Sequence, residues 1–202
     1  MGQIKAIVSD IGGVMVLENN MKTHYEPLIK SMNLNKEKFF KLYKKYINEA
    51  SRGRISAQKM IYSIAKELKV DRKKLLENWI KYKRRAIKKN IKLENIFKRL
   101  KKKYRIVSMS GVLDLHYKLC NEKKIYEVFD FNICSFREGS NKPDIQIYKI
   151  LLKKLKISPE EIVFIDDTKE CLTPAKKMGM KTILYKNNSQ LFRDLKKIKV
   201  EI

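Results

Sequence analysis

The chain has 202 residues, 44% of them hydrophobic, which suits one packed domain with an insertion, or two small ones, and argues against disorder. Lys and Arg number 47 against 22 Asp and Glu, and the net charge of +25 reads first as a compositional bias that fills solvated faces with Lys, and otherwise as a field that attracts anions, from phosphorylated metabolites to nucleic acid. No uncharged run approaches the ~20 residues of a membrane span, no signal-peptide pattern opens the chain, and three widely spaced cysteines (Cys120, Cys134, Cys171) suggest a reducing cytoplasm.

The first element is the apolar run from Ile4 to Ser9, which reads as a buried strand of a parallel sheet. It delivers Asp10 at its carboxyl end, and Gly12 and Gly13 then allow a sharp turn close to a bound group. After a loop from Met15 to Asn20, four stretches place apolar residues at helical spacing: Tyr25 to Met32, Lys36 to Ala50, Ala57 to Lys69 and Arg72 to Lys88. Ser56 and Asp71 read as helix caps, and Asn33 and Gly53 as breaks between helices. This predicts a helical cap over residues 16–89, inserted into a core made of residues 1–15 and 90–202.

From Ile91 onward helices and strands alternate. Strands are expected at Tyr104 to Ser108, Phe131 to Ser135, Ile162 to Ile165 and Thr182 to Tyr185. Helices are expected at Leu93 to Lys102, Val112 to Cys120, Asp144 to Lys156, Thr173 to Met178 and Leu191 to Lys197. Repeated βα units imply an α/β fold, a Rossmann-like doubly wound parallel sheet with helices on both faces. Its carboxyl ends would then bring Asp10, Ser108, Lys142 and the Asp166–Asp167 pair to one crevice. Carboxylates, one Lys and one hydroxyl suit Mg²⁺ and phosphate, because Mg²⁺ takes one or two carboxylates and fills its shell with water and phosphate oxygens. Asp10 is then a nucleophile toward phosphorus, Lys142 neutralises the carboxylates and the transferring group, and Ser108 hydrogen-bonds a phosphate oxygen.

With these residues in order, the sequence resembles the haloacid dehalogenase-like hydrolases. Asp10 to Val14 (DIGGV) resembles the first motif of that family, Ile106 to Ser108 the second, Gly139 to Asp144 (GSNKPD) the third and Phe164 to Asp167 (FIDD) the fourth. The segment from Lys142 through Leu184 is similar to the small-cap phosphatases that include the amino-terminal phosphatase domain of soluble epoxide hydrolase. Gly53-Arg54-Ile55-Ser56 resembles the entry to a cap helix in the same family. The resemblance implies a Mg²⁺-dependent phosphatase of small phosphomonoesters that works through an aspartyl phosphate. It assigns Asp10, Asp167 and the Gly12 carbonyl to the metal, with Asp166 either coordinating it or orienting its ligands, and Ser108 with the Met109 amide to phosphate.

Three positions depart from the family pattern. Gly12 replaces the usual general-acid Asp, Met109 the usual Asn after the second-motif hydroxyl, and Cys171 a frequent Asn after the acidic pair. General acid–base help contributes ~10²–10⁴-fold, so turnover is expected to be weak or to borrow Glu18, His24 or His116. The alternative is a degenerate member that binds a phosphorylated ligand, nucleic acid or a protein partner without catalysis. Dehalogenase chemistry needs no leaving-group proton but leaves the acidic pair without a purpose.

Overall fold

The computed structural model describes residues 3–17 and 21–201. A five-stranded parallel sheet runs in the order β5-β4-β1-β6-β7, where β1 is Ala6–Ser9, β4 Arg105–Ser110, β5 Phe131–Cys134, β6 Ile162–Asp166 and β7 Lys181–Leu184. The chain builds outward from β1 through β4 to β5, then crosses back to β6 and β7 on the other side. Strand order therefore reverses beside β1, and such a switch point opens a crevice at the carboxyl ends of the strands.

Period-two alternation along each strand divides the core between the two sheet faces. Ile7, Ile106, Val163 and Ile165 pack with Phe97 of α5 (Ile91–Leu100), Leu119 of α6 (Asp114–Glu122) and Leu191 of α10 (Asn188–Lys197). On the opposite face, Val8, Val107 and Phe164 meet Tyr148 and Leu151 of α8 (Ile145–Leu155) and Ala175 of α9 (Lys169–Lys177). Both faces are covered, which is why these strands read as nearly unbroken apolar runs.

Among the described residues, four helices lie between β1 and α5: α1 (Met21–Ser31), α2 (Lys36–Ser51), α3 (Ala57–Leu68) and α4 (Arg72–Ala86). They bury their own cluster, with Tyr25, Phe39, Tyr43, Met60 and Ile64 around Trp79. The caps form as expected: Ser56 accepts from the Lys59 amide at 3.1 Å and Asp71 from the Lys74 amide at 2.6 Å. Two strands that sequence periodicity does not show, β2 (Val16–Leu17) and β3 (Lys88–Lys89), pair antiparallel and clamp the chain where it leaves and rejoins the sheet region.

Element ends account for the other departures. β4 runs two residues beyond the expected stop at Ser108, to Ser110, and Gly111 follows it. A short helix α7 (Ser135–Glu138) follows β5 directly, and α9 begins at Lys169, well before the expected Thr173, with Pro174 in its interior. No helix of the described residues is long and apolar enough to cross a membrane.

Candidate functional site

Two neighbouring strands at the switch point carry the central charges. Asp10 follows β1 and Asp166 ends β6, and the Asp10 amide donates to the Ile165 carbonyl at 2.8 Å, which holds the two strand ends together. From the loop before α8, Lys142 reaches between them, with Nζ 2.8 Å from Asp10 Oδ1 and 2.6 Å from Asp166 Oδ2. The other Asp166 oxygen, Oδ1, accepts the Thr168 amide at 2.8 Å, so this carboxylate is held at both oxygens.

Asp167 completes an acidic triad, and Asp10, Asp166 and Asp167 each place a carboxylate oxygen within 4.8 Å of the others. Gly13 makes room for it. A Cβ at Gly13 would lie 1.9 Å from Asp167 Oδ2, and φ there is +76°, a conformation that glycine alone adopts without strain. Three hard oxygen donors against a single ammonium leave a negative excess, and that donor set fits a divalent cation such as Mg²⁺. Gly12 lines the same cleft.

Titration behaviour follows from burial and these neighbours. Burial pushes the Asp10 carboxyl up to about 6, against the pull of the Lys142 ammonium and with a push from Asp166. Burial alone would lower Lys142, but the two carboxylates more than offset it and hold its pKa above that of a free lysine. Asp167 is raised by burial and by the adjacent Asp166 charge. At neutral pH Asp10 is therefore a carboxylate paired to a cation.

Ser108 and Met109, expected to bind phosphate, stand back from the cleft. Both residues are fully buried, Ser108 donates to Asn132 Oδ1 at 2.7 Å, and neither lines the cleft. Ser110 and Gly111 do line it, because β4 extends two residues further than expected and its end brings that hydroxyl and the following amide to the cleft wall. The signal was present in the sequence: Gly111 marks the end of the strand better than Ser108 does.

The cleft above the triad encloses about 440 Å³, within the range of small-molecule sites. Tyr25, Tyr43, Ile47 and Lys83 from the helical cluster face it, together with Asn141 and Thr168, which sequence reasoning did not single out. Three of the residue pairs that seat the helices on the sheet region are polar contacts to the α6 and α8 ends. Arg52 pairs with Asp144 at 2.6 Å, Arg84 grips Glu122 at 2.8 and 3.1 Å, and Asp114 accepts the Ala57 amide at 2.9 Å. Gly53, with φ +70°, lets α2 approach so closely that a Cβ there would lie 2.0 Å from the Phe136 carbonyl.

Of the three substitute acids, Glu18 lies outside the described residues. His24 and His116 both line the cleft, but His116 Nε2 accepts the Trp79 indole N–H at 3.0 Å and burial holds its pKa well below the usual imidazole range. Cys171 also lines the cleft, and burial pushes its thiol up to about 11, so it is no nucleophile at neutral pH.

Comparison with known proteins fits this geometry. Residues 20–185 match the family described as haloacid dehalogenase-like hydrolase. Over 70 residues, 35% of the chain, it is 47% identical to bifunctional epoxide hydrolase 2 of Sus scrofa, and it covers only 13% of that protein's length. A HAD family enzyme from Bacteroides thetaiotaomicron superposes with a TM-score of 0.83 at 21% identity, over 95% of this chain and 100% of that one. The same enzyme in complex with magnesium and inorganic phosphate superposes with a TM-score of 0.79 at 22% identity, over 94% and 100%.

Proposed function

The chain belongs to the haloacid dehalogenase-like hydrolases, and from that premise we propose that it is a Mg²⁺-dependent phosphatase of small phosphomonoesters. The observation that carries the reading is Lys142 bridging Asp10 and Asp166 at 2.8 and 2.6 Å, with Asp167 completing the triad at the switch point. The magnesium and phosphate complex of the Bacteroides thetaiotaomicron enzyme, a protein of the same fold, supports it.

Asp10, Asp166 and Asp167, with the Gly12 carbonyl, would hold the ion, which supplies charge neutralisation at the phosphoryl oxygens. An Asp10 oxygen attacks phosphorus, forming an aspartyl phosphate as the ester P–O bond breaks and the alkoxide departs with the bonding electrons, to take its proton from water. Water then hydrolyses the acyl phosphate and frees Asp10. Lys142 keeps Asp10 ionised and faces the charge that develops in transfer. Ser110 and the Gly111 amide take the phosphate contacts first expected of Ser108 and Met109. Gly12 offers no side chain to protonate the leaving oxygen, so aryl esters should turn over faster than alkyl esters. Cysteines that remain free thiols fit a cytoplasmic enzyme.

The test is phosphate release from 4-nitrophenyl phosphate. Release in Mg²⁺ that is abolished by EDTA and falls at least about 10³-fold in Asp10→Asn supports the reading, since loss of a covalent nucleophile is of that order. Folded wild-type protein that releases no phosphate from a panel of aryl, sugar and glycerol phosphates would replace it with binding without catalysis.

A further inference from the structure

The last turn of α4 is basic, and within it Arg84 and Arg85 face solvent, as does Lys81 just before it. Lys83 turns inward and lines the cleft, with Nζ 3.1 Å from His24 Nδ1. An ammonium has only donors, so His24 Nδ1 is the acceptor. His116, also in the cleft wall, accepts the Trp79 N–H at Nε2 and is therefore neutral. Cys120, beside Lys83, stays a thiol because burial pushes it up to about 11.

None of these groups offsets a positive charge, and among the described residues no carboxylate pairs with Lys83. Two other sheltered lysines are paired: Lys142 with Asp10 and Asp166, and Lys89 with Glu94 at 2.9 Å. Burial draws Lys83 down to about 8, which still leaves it mostly protonated at neutral pH. A sheltered charge without a counter-charge is costly to the fold, and a ligand anion would relieve that cost.

We infer that Lys83 docks a second anionic group of the substrate, so that the enzyme prefers small phosphomonoesters whose alcohol part carries a carboxylate or a further phosphate. This inference rests on the phosphatase reading above. The triad and Lys142 take the phosphoryl group at one part of the cleft, and Lys83 on the cap wall takes the other charge. Hydrogen bonds to charged groups are strong enough to give about tenfold or more in discrimination.

Two matched substrate pairs test this in Mg²⁺: 3-phosphoglycerate against glycerol 3-phosphate, and fructose 1,6-bisphosphate against fructose 6-phosphate. The expected result is a preference in kcat/KM of about tenfold or more for the acidic member of at least one pair. The pair that responds tells carboxylate from phosphate. Lys83→Met should bring that ratio close to one, chiefly through KM, while Lys83→Arg keeps it. Because each ratio is taken within one variant, partial misfolding cancels. A wild-type ratio near one in both pairs, or a ratio that survives Lys83→Met, overturns the inference. If no substrate releases phosphate, the phosphatase reading falls, and the same ligands decide the docking point by Tm shift. The acidic member must then stabilise wild type more than its partner and lose that advantage in Lys83→Met; equal shifts overturn it.

Discussion

At the scale of single residues, charge is set first by burial and then by neighbours. His116 shows this outside the acidic triad. It is buried, accepts the Trp79 N–H and lies near Lys83, so its protonated form is disfavoured first by desolvation and then by the Lys83 charge. Its folded pKa lies well below 6.5, so below that pH the unfolded chain binds a proton that the folded chain does not. Stability from this group is fully present above the unfolded pKa and is lost as pH falls through and below it, by at most about 1.4 kcal/mol per pH unit. Tm should fall between pH 7 and 5.5, and His116→Gln, which keeps a neutral acceptor for Trp79, should fall less. Parallel pH profiles would remove His116 as the cause. Asp10, Lys142, Asp166 and Asp167 were legible because each stands just beyond an apolar strand or in a short loop with few alternative roles. Lys83 was not, since only the packing of the four inserted helices over the sheet brings it to the cleft.

At the scale of elements, everything turns on where a strand stops. Side chains alternate along β4, so Ser108 and Ser110 share a parity, and hydrophobic pattern alone does not choose between them. Position decides: Ser108 pairs in register with Ser9 inside the sheet, while Ser110 is the last residue of the strand. Ser110→Ala should lower kcat/KM by about 10–100-fold, the loss of a hydrogen bond to a charged phosphate, with stability nearly unchanged. Ser108→Ala strands the Asn132 acceptor and should lower stability by about 1–2 kcal/mol in urea denaturation, with kcat/KM close to wild type. The reverse pattern would return the phosphate contact to Ser108. Helix caps such as Ser56 and Asp71 were legible because their chemistry is local. The β2–β3 ribbon was not, as two-residue strands carry no periodicity and exist only once their partner arrives.

Across the whole molecule, the charge of +25 has to be reconciled with an acidic triad at the bottom of the cleft. The two densest basic stretches, Lys81 to Lys89 and Lys98 to Arg105, look on paper like a strip for nucleic acid. Folding breaks that strip up. Lys83 points into the cleft, Arg84 pairs with Glu122, Lys89 and Lys98 with Glu94, Lys101 with Asp130 and Lys103 with Glu201. Much of the local charge is thus neutralised in pairs, and what remains is a diffuse positive field. A diffuse field gives no base readout but raises the encounter rate of small anions, and it is screened beyond about 10 Å at 0.1 M salt. Raising KCl from about 20 to 300 mM should therefore lower kcat/KM for an anionic phosphomonoester several-fold while kcat changes little, because screening acts on approach and not on the bound complex. Steady-state rates at fixed free Mg²⁺ measure it. A kcat/KM that does not respond to salt would mean that the excess of lysine lies too far from the cleft mouth to guide substrate. Equal falls in kcat and kcat/KM would instead point to loosening of the Arg52–Asp144 and Arg84–Glu122 pairs that seat the cap, a different use of the same charges.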